Sequence, residues 1–212
     1  MTPERFVKEA ITLYREAREV AFPKNNIFRG RSASISSSLE DLMALYISKN
    51  NPNKCTYYVD QGMKFNETIK YPDVVIQEIS GDISNIIDLK TDMGFGRDKL
   101  YDLCKEWNKR IEQVKNTKTK FKRGATKEEV SGFFTKKLLC HVVILTRVNS
   151  GKNIDEHIEK VNKELKNVKV YLLTKGKHPN EYGCTVDDLV KKIDILKPNF
   201  ESLIKTIKDN SK

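Results

Sequence analysis

The sequence lacks the closely spaced cysteine and histidine pairs that hold structural zinc. Cys55, Cys104, Cys140 and Cys184 lie far apart with no C-x-x-C spacing, and none of His141, His157 and His178 stands at zinc-finger distance from them. The four cysteines read as reduced, buried thiols. There is no run of about 18 apolar residues, which excludes an ordinary membrane-spanning helix. The start, Met1-Thr2-Pro3-Glu4-Arg5, is polar and helical in pattern rather than a basic stub followed by an apolar stretch, so no secretory signal is read there and a cytoplasmic location is expected. Gly94-Phe95-Gly96-Arg97 lacks the Gly-Lys-Ser/Thr ending of a P-loop and reads as a hinge from strand to helix. Nucleophile elbows built on Ser or Cys are missing too, and the three histidines, scattered over a predicted strand, a helix and a turn, suit structural roles. Neither internal repeats nor a low-complexity linker interrupts the chain.

What the sequence does have is positive charge. Its 39 Lys and Arg against 29 Asp and Glu give a formal net charge of +10, which favours a polyanionic partner because a cationic surface releases condensed counterions from nucleic acid. A length of 212 residues suits one domain with a well-buried core, so residues 1–212 are expected to form a single domain. Thr2-Pro3 and the spacing of Phe6, Ala10, Tyr14, Ala17 and Ala21 predict a first helix over 3–21, stopped by Phe22-Pro23. Ser37 and Glu40 form a capping-box pattern ahead of Leu39, Leu42, Met43, Tyr46 and Ile47, a second helix ending near Asn50-Asn51-Pro52. Three strands follow as a meander: 55–59 or on through Met63 to Phe65, then 73–79, then 83–90, the last two joined by a Gly81-Asp82 turn. Leu100, Leu103, Cys104, Trp107 and Ile111 restore a helical stripe to about 115, and Lys115 to Arg123 reads as a basic loop. Thr126 and Glu129 repeat the capping box before a short helix. Strand 138–145, helix 153–165 and strand 168–173 have the alternation of a β-α-β unit, and helices at 185–196 and 198–208, split by Pro198, close the chain.

One pattern carries chemistry. Strand side chains alternate faces, so Asp88 and Lys90 project to one side while Ile87 and Leu89 go to the other, into a core. If runs 73–79 and 83–90 pair as a hairpin, Asp73 returns beside Asp88, and two carboxylates meet with a lysine next to them. Close carboxylates repel and desolvate each other, a cost most simply offset by a hard divalent cation such as Mg²⁺. The other reading is a strand-opening turn at Pro72-Asp73 and a solvated cross-strand ion pair at Asp88 and Lys90.

Pro72-Asp73, a gap long enough for two strands and a turn, then Asp88-Leu89-Lys90 resembles the motif of the PD-(D/E)XK nuclease superfamily. The predicted order of elements over about 36–174 is similar to the α-β-β-β-α-β core of that restriction-endonuclease-like fold, an α/β class with a mixed central sheet flanked by helices. Helix 3–21 and helices 185–208 would be additions to it. The resemblance implies Asp73, Asp88 and the backbone carbonyl of Leu89 as Mg²⁺ ligands, with Lys90 near the attacking water and the phosphate, orienting water rather than acting as the base. It also points to an acidic residue on the preceding helix, where Glu40 is either an active-site carboxylate or the partner of Ser37 in a capping box.

Arg29, Arg31 and Ser34, in a donor-rich run before the second helix, suit phosphates or base edges, or else form a polar loop that caps that helix. Lys118, Lys120, Lys122 and Arg123 suit a DNA backbone, or else a solvated charged connection. The resemblance is strongest to a type II restriction endonuclease, a homodimer cutting double-stranded DNA, since a palindrome cut in both strands needs two active sites related by a two-fold axis. The alternatives are a repair, junction or phage-linked nuclease of the same fold, and a basic DNA-binding module without activity.

Overall fold

Thr2 and Pro3 open the first helix, α1 (Pro3–Glu16), as their chemistry directs. The Thr2 hydroxyl accepts from the Arg5 N–H at 3.2 Å, and Pro3 fills a first-turn position that needs no N–H. In the computed structural model, which describes residues 1–20 and 22–211, α1 is shorter than the predicted 3–21. The returning chain donates the Ala33 N–H to the Ala17 carbonyl at 2.8 Å, which fixes the end of the helix there; Ala21 lies outside the described residues. Helix α2 (Ser36–Asn50) follows, and its capping box does not form. Ser37 already lies inside the helix, Ile35 is the cap residue without a side-chain bond, and the Ser34 hydroxyl accepts from the Ser36 N–H instead.

The remaining elements are β1 (Cys55–Val59), β2 (Met63–Phe65), β3 (Thr68–Lys70), β4 (Val74–Glu78), β5 (Asp82–Lys90), α3 (Leu100–Val114), β6 (Thr117–Lys122), β7 (Glu129–Thr146), α4 (Ile154–Glu164), β8 (Val168–Gly176), α5 (Val186–Lys192), β9 (Ile193–Ile195) and α6 (Lys197–Asn210). This is an α/β arrangement on a mixed sheet in the order β1-β4-β5-β7-β8-β9, with β6 also paired to β7. The β1-β4-β5 meander is antiparallel, whereas β5-β7 and β7-β8 are parallel, as the β-α-β pattern predicts. Helices α1, α2, α5 and α6 bury one face of the sheet around Phe6, Met43, Ile87 and Phe200. The other face carries α3, α4 and the small β2-β3 hairpin, around Ile86, Trp107, Phe134 and Val142. Among the described residues no helix is long and apolar enough to cross a membrane.

Three segments depart from expectation. The basic stretch is a strand and not a loop: Thr119 and Phe121 point inward while Lys118, Lys120 and Lys122 point out, the period of two that a sheet imposes. It pairs antiparallel with the start of β7, so Glu129 lies opposite Lys122 instead of in a helix, and Thr126 sits in the connecting turn. The 185–196 helix stops at Lys192, because Ile193–Ile195 pairs with the end of β8. Of the cysteines, Cys104 and Cys140 are buried, but Cys55 and Cys184 are only partly so, since both sit at the rim of the core; all four are free thiols.

His141 and Asn85 form a buried polar pair under α6. The imidazole Nε2 lies 2.9 Å from Asn85 Oδ1, Asn85 donates to Ser211 Oγ, and the ring stacks on Tyr171. Burial drives the His141 pKa down from 6.5 to about 3, so the folded protein holds it neutral. A depressed basic group contributes stability above its unfolded pKa that is lost as pH falls, here from about 6.5 towards 3. Urea midpoints of wild type and His141→Gln, measured from pH 7.5 to 4, are therefore expected to converge or cross as pH falls. A constant difference between them would remove His141 from the acid response.

Candidate active site

The β4-β5 hairpin places the motif. Val74 pairs with Ile87, so the next residues outward, Asp73 and Asp88, come together at the mouth of the hairpin. Gly81 turns the hairpin with φ of 91°, a conformation that suits a residue without Cβ. Asp73 Oδ2 accepts from the backbone N–H of Leu89, which locks the start of β4 against the end of β5. Asp88 is only 7 % exposed and accepts twice, from Lys90 Nζ at 2.6 Å and from the indole Nε1–H of Trp107 at 3.2 Å. Ile87 and Leu89 go to the opposite face, into the core, as alternation predicts.

Electrostatics sets this cluster apart from a solvated ion pair. Burial pushes the Asp73 carboxyl up to about 7, and the neighbouring Asp88 charge adds to the rise against the pull of Leu89 N–H and Lys90. At Lys90, burial pulls the ammonium down, but Asp88 and Asp73 outweigh it and leave the pKa raised. Lys90 is therefore a held cation, suited to orienting water and offsetting charge more than to taking a proton.

Glu40 belongs electrostatically to the same group. Its carboxyl is pushed up by burial, then by Asp60 and Asp41, while Lys90 pulls it down, and Glu40 in turn raises Asp73. With no capping box at Ser37, the helix-cap role for Glu40 is gone. Asp60 was not visible in the sequence as a site residue. Its N–H donates to the Asp73 carbonyl at 3.0 Å from a left-handed conformation, φ 45°, and the only signal was the polar break Asp60-Gln61-Gly62 between two strand-like runs. Trp107 was missed because it fits the apolar stripe of α3; its N–H, not its ring, makes it a site residue.

The sequence-predicted DNA contacts fall on two other surfaces. Arg29 and Arg31 are exposed in the connection before α2, where Arg29 donates to the Glu19 carbonyl at 3.2 Å, and the Ser34 hydroxyl accepts locally from the Ser36 N–H. Lys118, Lys120 and Lys122 line the outer face of β6. Lys120 pairs with Glu129, and Arg123, just beyond the strand, pairs with Glu128, both at 2.8 Å.

Among the described residues no three His, Cys, Asp or Glu side chains are grouped so as to hold an ion by themselves. The donor set still suits a hard cation, because half-buried Asp73 and buried Asp88 stand side by side and the Asp88 charge opposes ionisation of Asp73. The Leu89 carbonyl and water would have to complete the shell. No family model matches the chain, and neither the curated proteins nor the solved structures contain a significant match to it.

Proposed function

We propose that this chain is a Mg²⁺-dependent endonuclease of the PD-(D/E)XK type acting on double-stranded DNA, and more specifically a homodimeric type II restriction endonuclease. The observation that carries the reading is the pairing of Asp73 with Asp88 at a hairpin mouth, beside a held Lys90. The order α2, β1, β4, β5, α3, β7 supports it, since it is the α-β-β-β-α-β order of that superfamily's core. Asp73, Asp88 and the Leu89 carbonyl would hold Mg²⁺, which when bound supplies Lewis-acid neutralisation of phosphoryl charge. Lys90 orients the attacking water and offsets charge on the phosphate, and Glu40 adds a further carboxylate at the rim of the site. The Trp107 N–H holds Asp88 in place and closes its inner side to solvent.

The test is incubation of phage DNA with the protein and Mg²⁺. Discrete fragments support restriction, random nicking supports a nuclease of another purpose, and intact DNA at every metal and salt condition removes the enzyme reading. Ca²⁺ in place of Mg²⁺ is expected to permit DNA binding without cleavage, because Ca²⁺ takes longer, looser oxygen coordination and polarises water less. Rapid cutting in Ca²⁺ alone would count against this metal site.

A further inference from the structure

Strand β1 ends the sheet on one side, and among the described residues its outer edge pairs with no other strand. Antiparallel pairing alternates between residues that bond to the neighbouring strand and residues that bond away from it. The Asp60 N–H donates to the Asp73 carbonyl at 3.0 Å, one step beyond the Val59↔Val74 pair, so Thr56 and Tyr58 also bond inward, to β4. The N–H and C=O groups of Cys55, Tyr57 and Val59 therefore point outward, and among the described residues nothing bonds to them. An open edge of this kind templates another strand, and native proteins usually blunt it with lysine, proline or a bulge. Cys55–Val59 has none of these: it is uncharged, keeps an unbroken register with β4, and is mostly β-branched or aromatic.

The chain along this edge is complementary to itself. Set antiparallel to a second copy about a two-fold axis at Tyr57, Tyr57 meets Tyr57, Cys55 meets Val59, and Thr56 meets Tyr58. Just beyond each end of the strand, Lys54 comes opposite Asp60; both are exposed, and neither is ion-paired within the described residues. The axis falls on an outward-bonding residue, so each free N–H along the edge meets a free C=O of the other copy, and no like charges are opposed. Moving the axis by one residue would still set strand against strand but would part Lys54 from Asp60, so charge fixes the register. We propose that β1 is the surface through which two copies of this chain dimerise, joining their sheets into one. Paired residues of antiparallel strands lie on the same face, so both Asp88 side chains, each held by its Trp107, stand on one side of the joined sheet. That relation suits a single duplex cut in both strands; its use there rests on the nuclease reading, whereas the pairing itself does not.

Sedimentation velocity at rising concentration is expected to show a monomer-dimer equilibrium with dimer prominent at about 100 µM, since a strand of 5 residues makes a small interface. A monomer throughout overturns the proposal. Tyr57→Pro removes an outward N–H and no bond to β4, so it should keep the fold, judged by thermal melt. It should weaken dimerisation at least about tenfold, because the symmetric contact loses that bond twice. A folded Tyr57→Pro variant that dimerises like wild type overturns the surface. Cross-linking carries the test even if that variant does not fold. Opposed outward-bonding residues have Cα atoms about 5.5 Å apart, within reach of a disulfide. On mild oxidation with diamide, Val59→Cys should therefore link to the native Cys55 of the second copy and give a covalent dimer, and Val59→Cys/Cys55→Ser should not. No covalent dimer from the first, or one that survives Cys55→Ser, overturns the pairing. Neither arm reads cleavage, so a failure of the nuclease reading leaves both results interpretable.

Discussion

Asp88→Asn and Lys90→Ala are each expected to slow cleavage of duplex DNA by at least about 10²–10³-fold while leaving the Kd for DNA within a few-fold. The two side chains form one unit, with Asp88 Oδ1 on Lys90 Nζ at 2.6 Å, and both lie at the mouth of the hairpin rather than on the basic outer strand. On the proposed mechanism, removing either would take away an interaction that strengthens as the phosphoryl group gathers charge and would leave ground-state contacts to the DNA backbone untouched. Asp88→Asn keeps the acceptor for the Trp107 N–H and the volume of the side chain, so its loss of rate should come without loss of fold. Single-turnover cleavage of plasmid, binding by anisotropy and a thermal melt on the same preparations separate these effects. A rate near wild type in either variant would sink the assignment of the site.

The second large effect is on stability. Phe200→Ala should destabilise the protein by about 3–5 kcal/mol. Phe200 is fully buried and meets Phe6 at 5.6 Å and Tyr46 at 5.3 Å, both edge-on, so one ring joins α6 to α1 and α2. Truncation removes the transfer energy of the ring and leaves a cavity between three helices that cannot all close on it. For a chain of this size the melting temperature should fall by roughly 6–20 °C. A fall of under a few degrees would mean that the α1-α2-α6 layer contributes little to the cooperative unit.

The parts of the fold legible in the sequence were those whose signal is local and repeated. The stripe Leu100, Cys104, Trp107, Ile111 dictated α3, and β-branched runs around a Gly81 turn dictated the β4-β5 hairpin, hence the meeting of Asp73 and Asp88. What was lost depended on partners distant in sequence. In β6, alternating lysines dilute the apolar signal to Thr119 and Phe121, and only pairing with β7 makes the segment a strand. Strands β2 and β3 have three residues each, too few for a period to emerge. Two capping-box patterns, Ser37 with Glu40 and Thr126 with Glu129, were overridden because α2 starts at Ser36 with Ile35 as its cap and Glu129 lies in β7 opposite Lys122, paired with Lys120. The site was legible as a sequence motif, but its second ring, Asp60 and Trp107, was not, since their roles arise from a backbone turn and an indole N–H that the residue pattern does not distinguish from linker and core.

Trp107 is the chain's single tryptophan, and its ring nitrogen donates to Asp88. Indole emission responds to the electric field along the ring, and the Asp88 carboxylate at the ring nitrogen and the Arg110 guanidinium over the ring, 5.5 Å from its centroid, are both sources of such a field. The protein thus carries a built-in optical probe that reports on the surroundings of one carboxylate, with no label and no second tryptophan to dilute the signal. A cation that reaches Asp88 can be followed by fluorescence alone, at protein concentrations far below those that structural methods need.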